Sequence, residues 1–277
     1  MGLDEDRIEW EKEALTVVLP DTISTTKDEI CGVSCLWVVD KRRENERVIL
    51  YVHGGGLVAG SAITHRNIAA TLAMASGSSV LLVNYRLLPE HQYPAPLDDV
   101  LNVYRSLITD LKYDPSELIF GGDSSGGGLV LAALVYLKDK KVPLPSCAFS
   151  VSGAFDMTLT SESMRLNQST EPHMSSEQLK KWRDDYLQYD LKSPLLSPLF
   201  ADLSGLPKIL LLVGGQDPWR CDSESLAKKI KAVGGKASLV TWQSMGHVWV
   251  MNAELDESRK AVNVIADFIC ANEGLKK

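Results

Sequence analysis

From residue 48 onward the chain alternates short, almost purely apolar runs with longer stretches of helical period. No other feature limits the fold as much. ERVILYVHG, VLLVNYRL (80–87), ELIFGG, CAFSVSGAFD, PKILLLVGGQD and KASLVTWQSMGH read as strands. A run such as VLLVNYRL has no polar face, so its strand is buried on both sides. Between these runs lie THRNIAATLAMASG, LDDVLNVYRSLITDLKY, SSGGGLVLAALVYLKDKK, SESLAKKIKAVGG and ESRKAVNVIADFICANEG, all with helical spacing. Gly77 is placed to cap the first of them and Asp114-Pro115 to stop the second. The pattern predicts an α/β architecture, with a mostly parallel central sheet flanked by helices on both faces. Upstream, residues 4–15 predict a short acidic helix, and TVVLP and EICGVSCLWVV predict β segments.

One segment breaks the alternation. Residues 156–207 contain no convincing core strand, a helix start at Ser175-Ser176-Glu177 and a Pro/Ser/Leu-rich exit. Long insertions of this kind between sheet elements serve as lids or binding loops. The 277 residues fit one large α/β domain over 1–277, with cap elements at about 1–20 and 156–207.

Charge narrows the partners. A net charge of −7 without a basic stripe argues against nucleic acid, whose affinity comes from cations neutralising phosphates. No run is long enough to span a bilayer. The stretch MGLDEDRIEWEKEAL lacks the basic and apolar regions of a secretory leader. Five cysteines, an odd number without a CxxC, predict reduced and mostly buried thiols, a cytoplasmic setting and no zinc site. No metal or organic cofactor is expected.

The chemistry is concentrated in GGDSSGGG, residues 121–128, between a strand and a helix. Gly122-Asp123-Ser124-Ser125-Gly126 fits G-x-S-x-G, and the context is the one a nucleophile elbow requires. Glycines make room for a sharp turn that projects Ser124 from the sheet edge. The helix start beneath it offers N–H groups and partial positive charge to an oxyanion. The Ser125 N–H is then a donor, and its hydroxyl is not needed for that. A phosphate loop would end in Gly-Lys-Ser/Thr, and a trypsin-like GDSGG belongs to an all-β chain; neither fits. A plain glycine-rich turn is the bland alternative.

His53-Gly54-Gly55-Gly56 follows another apolar strand. Such a loop supplies further oxyanion donors, here Gly55 and Gly56, and His53 reads as structural, holding its loop. Asp217 and His247 each follow an apolar strand, in the chain order Ser, Asp, His. Asp222 is a rival acid that reads better as a helix N-cap. His65, His91 and His173 read as surface or satisfied structure.

With HGGGLVAGS, NYRLLPEHQYPAPLDD, GGDSSGGG, DPWRCDS and MGHVW in place, the chain resembles the hormone-sensitive-lipase-like esterases of the α/β-hydrolase fold over residues 48 to 270. The resemblance implies a small-molecule ester substrate, a Ser124–His247–Asp217 triad, and Gly55, Gly56 and Ser125 as the oxyanion hole. It also implies a possible homodimer through the last strand and helix. Lactonases, deacetylases and amidases share this machinery, and some related plant receptors have lost the histidine and only bind. Ser125 stands where Ala is usual, Trp219 replaces a Leu, and Trp249 replaces a Phe. The tryptophans and the short cap suggest a compact acyl pocket.

Overall fold

The computed structural model describes residues 2–43, 45–167 and 176–271. Its strands are β1 (Ile23–Ile30), β2 (Val33–Asp40), β3 (Val48–Val52), β4 (Ser79–Val83), β5 (Leu118–Asp123), β6 (Cys147–Val151), β7 (Lys208–Gly214) and β8 (Ala237–Trp242). They form one sheet in the order β1-β2-β4-β3-β5-β6-β7-β8. The pairs β1–β2 and β2–β4 are antiparallel, and the remaining pairs are parallel. Every residue of β3, β4, β5 and β6 is buried, as the apolar runs require.

Helices cover both faces. Helices α3 (Ala95–Thr109), α4 (Ser124–Asp139) and α7 (Arg220–Ala232) contribute Leu97, Leu131 and Leu226 to one core layer. Helices α2 (Arg66–Ser76) and α8 (Asp256–Cys270) contribute Leu72 and Ile265 to the other. Neighbouring residues of β3 split between them: Leu50 faces the first layer, Ile49 and Tyr51 the second. Gly77 closes α2 with φ of 65°, the expected left-handed cap.

Several sequence expectations need correction. EICGVSCLWVV is a hairpin rather than one segment. Cys31 and Gly32 both take positive φ and connect β1 to β2 in the two-residue manner that suits the twist of paired strands. TVVLP is not a strand: Thr16 ends helix α1 (Leu3–Thr16), and Val18 is 90% exposed. Helix α3 stops at Thr109, short of Asp114-Pro115. Ser106 donates to the Asp110 carboxylate at 2.7 Å, and Lys112 takes positive φ. The cysteines are free, but only Cys35 and Cys147 are buried. Cys31 and Cys270 are exposed and Cys221 is intermediate.

Helix α1 has no fully buried side chain. Two arginines tie it to the rest of the fold, Arg7 from within the helix and Arg66 from the start of α2. Arg7 donates to Val58 O (2.6 Å), Leu88 O (2.7 Å) and Glu90. Arg66 donates to Ala14 O, Leu15 O and Val17 O. Within 156–207 lie α5 (Glu162–Leu166) and α6 (Ser176–Tyr186), with no strand among the described residues.

Candidate active site

The parallel strands end at one edge of the sheet, where open α/β folds gather their ligands. Strand β5 runs into α4 through Ser124, whose φ of 49° is a left-handed conformation rare for a side chain. The turn is tight. A Cβ at Gly126 would collide with the carbonyl oxygens of Val52 and His53, so a glycine is required for β3 to pass this close.

Ser124, His247 and Asp217 come together as the sequence order suggested. His247 Nε2 lies 2.9 Å from Ser124 Oγ. His247 Nδ1 lies 3.1 and 3.2 Å from the two Asp217 oxygens. Asp217 is completely buried and also accepts the Trp219 N–H at 2.8 Å. The base is held from its far side, because Val248 N–H donates to Ser152 Oγ beyond β6 at 3.0 Å. A buried carboxylate on Nδ1 leaves Nε2 facing the serine oxygen, the arrangement in which imidazole can take a hydroxyl proton.

Gly55 and Gly56 line the same cavity as Ser124 and Ser125. Both glycines have positive φ, 114° and 66°, a backbone that turns the loop against the elbow. His53 is a strut, as its sequence context implied. It is buried, meets Gly54 O at 2.7 Å and stacks on Tyr85 with ring centres 4.2 Å apart. Burial, aided by the neighbouring His65, lowers its pKa to about 3, so it stays neutral.

The Ser125 hydroxyl has a partner of its own. It accepts Leu57 N–H at 3.3 Å, tying the glycine loop to the elbow. Asp222 is neither acid nor N-cap. It sits inside the first turn of α7, buried, and accepts the N–H groups of Phe155 (3.2 Å) and Asp156 (2.9 Å). Burial, with Asp156 adding to it, pushes the Asp222 carboxyl up to about 8. His65 is buried against Asp123 and Thr64, and His91 is exposed. His173 lies outside the described residues.

Sequence reasoning passed over Asp123. Its Oδ1 accepts Tyr51 O–H at 2.9 Å and Gly54 N–H at 3.1 Å, and His65 Nε2 lies 3.4 Å away. Burial alone would raise its pKa, but His65 and Tyr51 outweigh that and hold it below the usual carboxylate value. This buried anion fastens the glycine loop to the residue just before Ser124. The signal was in the motif: an acid at the end of an all-buried strand must be paired.

Over the site lies a cavity of about 600 Å³, walled by Trp10, Val58, Met157, Leu179, Trp182 and Trp219. That is within the ordinary range for a small-molecule site. Trp182, from α6, lies on Gly56, with its ring 3.2 Å from where a Cβ would stand. Trp249 does not line the cavity. It belongs to the core beneath, its ring centre 5.2 Å from that of Trp242. Among the described residues, no cluster of three or more His, Cys, Asp or Glu could hold a metal ion.

Comparison with known proteins follows the same lines. Residues 49–251 match the model of an α/β-hydrolase-fold family. An acetyl-hydrolase of Streptomyces hygroscopicus is 34% identical over 244 residues, covering 87% of this chain and 81% of that protein. An esterase of Acinetobacter venetianus is 36% identical over 225 residues, 80% of this chain and 74% of its own. The crystal structure of an esterase from the bacterial hormone-sensitive lipase family superposes with a TM-score of 0.94. It is 39% identical, and the match covers 99% of this chain and 93% of that one. With the elbow, the glycine loop and the sheet order already described, these similarities establish that the chain belongs to the α/β-hydrolase fold family, in its hormone-sensitive-lipase-like group.

Proposed function

We propose that the chain is a serine carboxylesterase for short- to medium-chain acyl esters, with Ser124 as nucleophile, His247 as base and Asp217 as acid. The observation that carries this reading is the continuous contact from Asp217 through His247 to Ser124 Oγ, at the floor of an apolar cavity. Ser124 Oγ attacks the ester carbonyl while its proton passes to His247 Nε2. Asp217 holds the imidazole in its tautomer and stabilises the imidazolium. The backbone N–H groups of Gly55, Gly56 and Ser125 receive the oxyanion. His247 then gives the proton to the departing alcohol, and water, deprotonated in turn by His247, releases the acid. Each step transfers only a proton or an acyl group.

Support from the relatives lies in their names, esterase and acetyl-hydrolase. The domain reading is a single hydrolase unit over 1–277, capped by residues 1–20 and 156–207. Unpaired cysteines favour a reducing, cytoplasmic compartment. Among the described residues, no helix is long and apolar enough to cross a membrane. Any self-association is assigned to the open edge at β8, at the end of the sheet.

The test is hydrolysis of p-nitrophenyl esters from acetate to dodecanoate by the wild type and by Ser124→Ala. Turnover of the short esters, abolished in the variant, is the expected result. A folded wild type that cleaves none of them, but opens a lactone or an anilide of matched acyl size, replaces the esterase reading with a lactonase or amidase one.

A further inference from the structure

Beyond Gly214 the chain leaves the sheet, and the carbonyl groups of Gly215, Asp217 and Pro218 pass out of reach of a neighbouring strand. The loop is mostly buried, with Gly215, Asp217, Pro218 and Trp219 inside and only Gln216 exposed. Its Gly215 and Gln216 N–H groups donate to Trp242 O and Met245 O. Its carbonyls must be satisfied too, because this loop aims a carboxylate. Arg220 donates locally to Gly215 O (3.3 Å) and Asp217 O (3.2 Å), and further partners come from far along the chain. Asn167 Nδ2 donates to Gly215 O at 3.2 Å and to Asp217 O at 2.9 Å. Ser163 Oγ donates to Pro218 O at 2.7 Å and accepts Cys221 N–H at 2.9 Å. Ser163 is completely buried. It lies in α5, and Asn167 directly follows that helix, so the two stand one turn apart on one face. Neither lines the substrate cavity.

We propose that Ser163 and Asn167 are positioning residues for the reaction: from the stem of the inserted segment they hold the loop that directs Asp217 onto His247. The proposal rests on the assignment of Asp217 and His247 as acid and base. Asp217 meets His247 at 3.1 Å, and misplacement by about 1 Å is enough to disable a catalytic group. A sidestep of the loop therefore lowers turnover by misdirecting Asp217, while of the binding surface it carries only Trp219. The stem of the insertion and the acid–base pair form one mechanical unit.

A double-mutant cycle tests this. Asn167→Ala, Asp217→Asn and the combined variant are compared for kcat and KM on p-nitrophenyl acetate. Asn167→Ala is expected to lower kcat about tenfold, the value of roughly one good hydrogen bond, and to change KM much less than kcat. In the Asp217→Asn background the same change is expected to do nothing further, because no carboxylate remains to be aimed. Ser163→Ala, which removes a single oxygen, is carried through the same cycle in case Asn167→Ala does not fold. An unchanged kcat in the single variants overturns the proposal, as does an equal loss in both backgrounds. If Asp217→Asn alone leaves kcat intact, the acid assignment falls and takes this proposal with it; the cycle separates the two failures.

Discussion

Removing the Asp123 carboxylate should loosen the glycine loop and the elbow together. Its Oδ1 is the acceptor for Tyr51 O–H and Gly54 N–H, and both donors are buried. In Asp123→Ala each loses its acceptor in the interior. An unsatisfied buried donor costs about 1–3 kcal/mol, so the pair comes to roughly 2–6 kcal/mol. At about 2–4 °C per kcal/mol for a domain approaching this size, the melting temperature should fall by roughly 4–24 °C. Asp123→Asn keeps an oxygen for the two donors and loses only the charge, so its loss should be smaller. Activity should fall as well. Gly54 is the loop's anchor, and displacing one oxyanion donor lowers kcat by roughly 10²–10³. Thermal unfolding followed by circular dichroism and initial rates on p-nitrophenyl acetate measure the two effects. An Asp123→Ala protein that melts within about 2 °C of wild type and turns over at the wild-type rate would refute the idea that this anion holds the loop.

Two further outcomes follow from the cavity and from the buried acids. Trp182→Ala should shift the chain-length profile toward longer acyl esters, because the indole closes down on Gly56. Each methylene newly buried is worth about 0.8 kcal/mol, roughly fourfold in kcat/KM, and a profile superimposable on wild type rules out Trp182 as the limiting wall. Asp222, raised to about 8 by burial and by Asp156, binds its proton more tightly in the folded chain than in the unfolded one. Its contribution to stability is therefore complete below the unfolded carboxyl value of about 4 and is lost as pH rises through 8. Asp222→Asn keeps an acceptor for Phe155 and Asp156 N–H, so its melting temperature should gain on wild type progressively from pH 4 to 8. A constant difference across that range contradicts the assignment.

What could be read from the sequence was local. Each of Ser124, Asp217 and His247 follows an apolar strand, so topology alone carries them to one edge. HGGG and the elbow announce themselves by glycines that a turn or a close approach demands. Failures came where a residue's role depends on a distant partner or a weak pattern. Strand β1, ISTTKDEI, has a solvent-facing middle and little alternation to reveal it. The turn at Cys31-Gly32 hides inside an apolar stretch. Asp222 looks like a cap because its true partners, the amides of Phe155 and Asp156, lie more than sixty residues away in sequence. Nothing near Trp182 or Asn167 announces what they touch, for both reach out of the insertion to distant loops.

Helix α1 supplies Trp10 to the cavity wall, yet it is held chiefly by arginine contacts to backbone oxygens and has no fully buried side chain. With only Leu3 and Trp10 adding contacts to the body of the fold, its opening free energy is expected to lie below that of the core. Amide protons of α1 should exchange with deuterium by local detachment, while those of α4, buried along nearly its whole length, wait for global unfolding. One wall of the substrate chamber is then expected to open independently of the core. A helix that lifted in this way would open the chamber with the triad edge of the sheet left undisturbed, and exchange of α1 amides as slow as those of α4 refutes the idea.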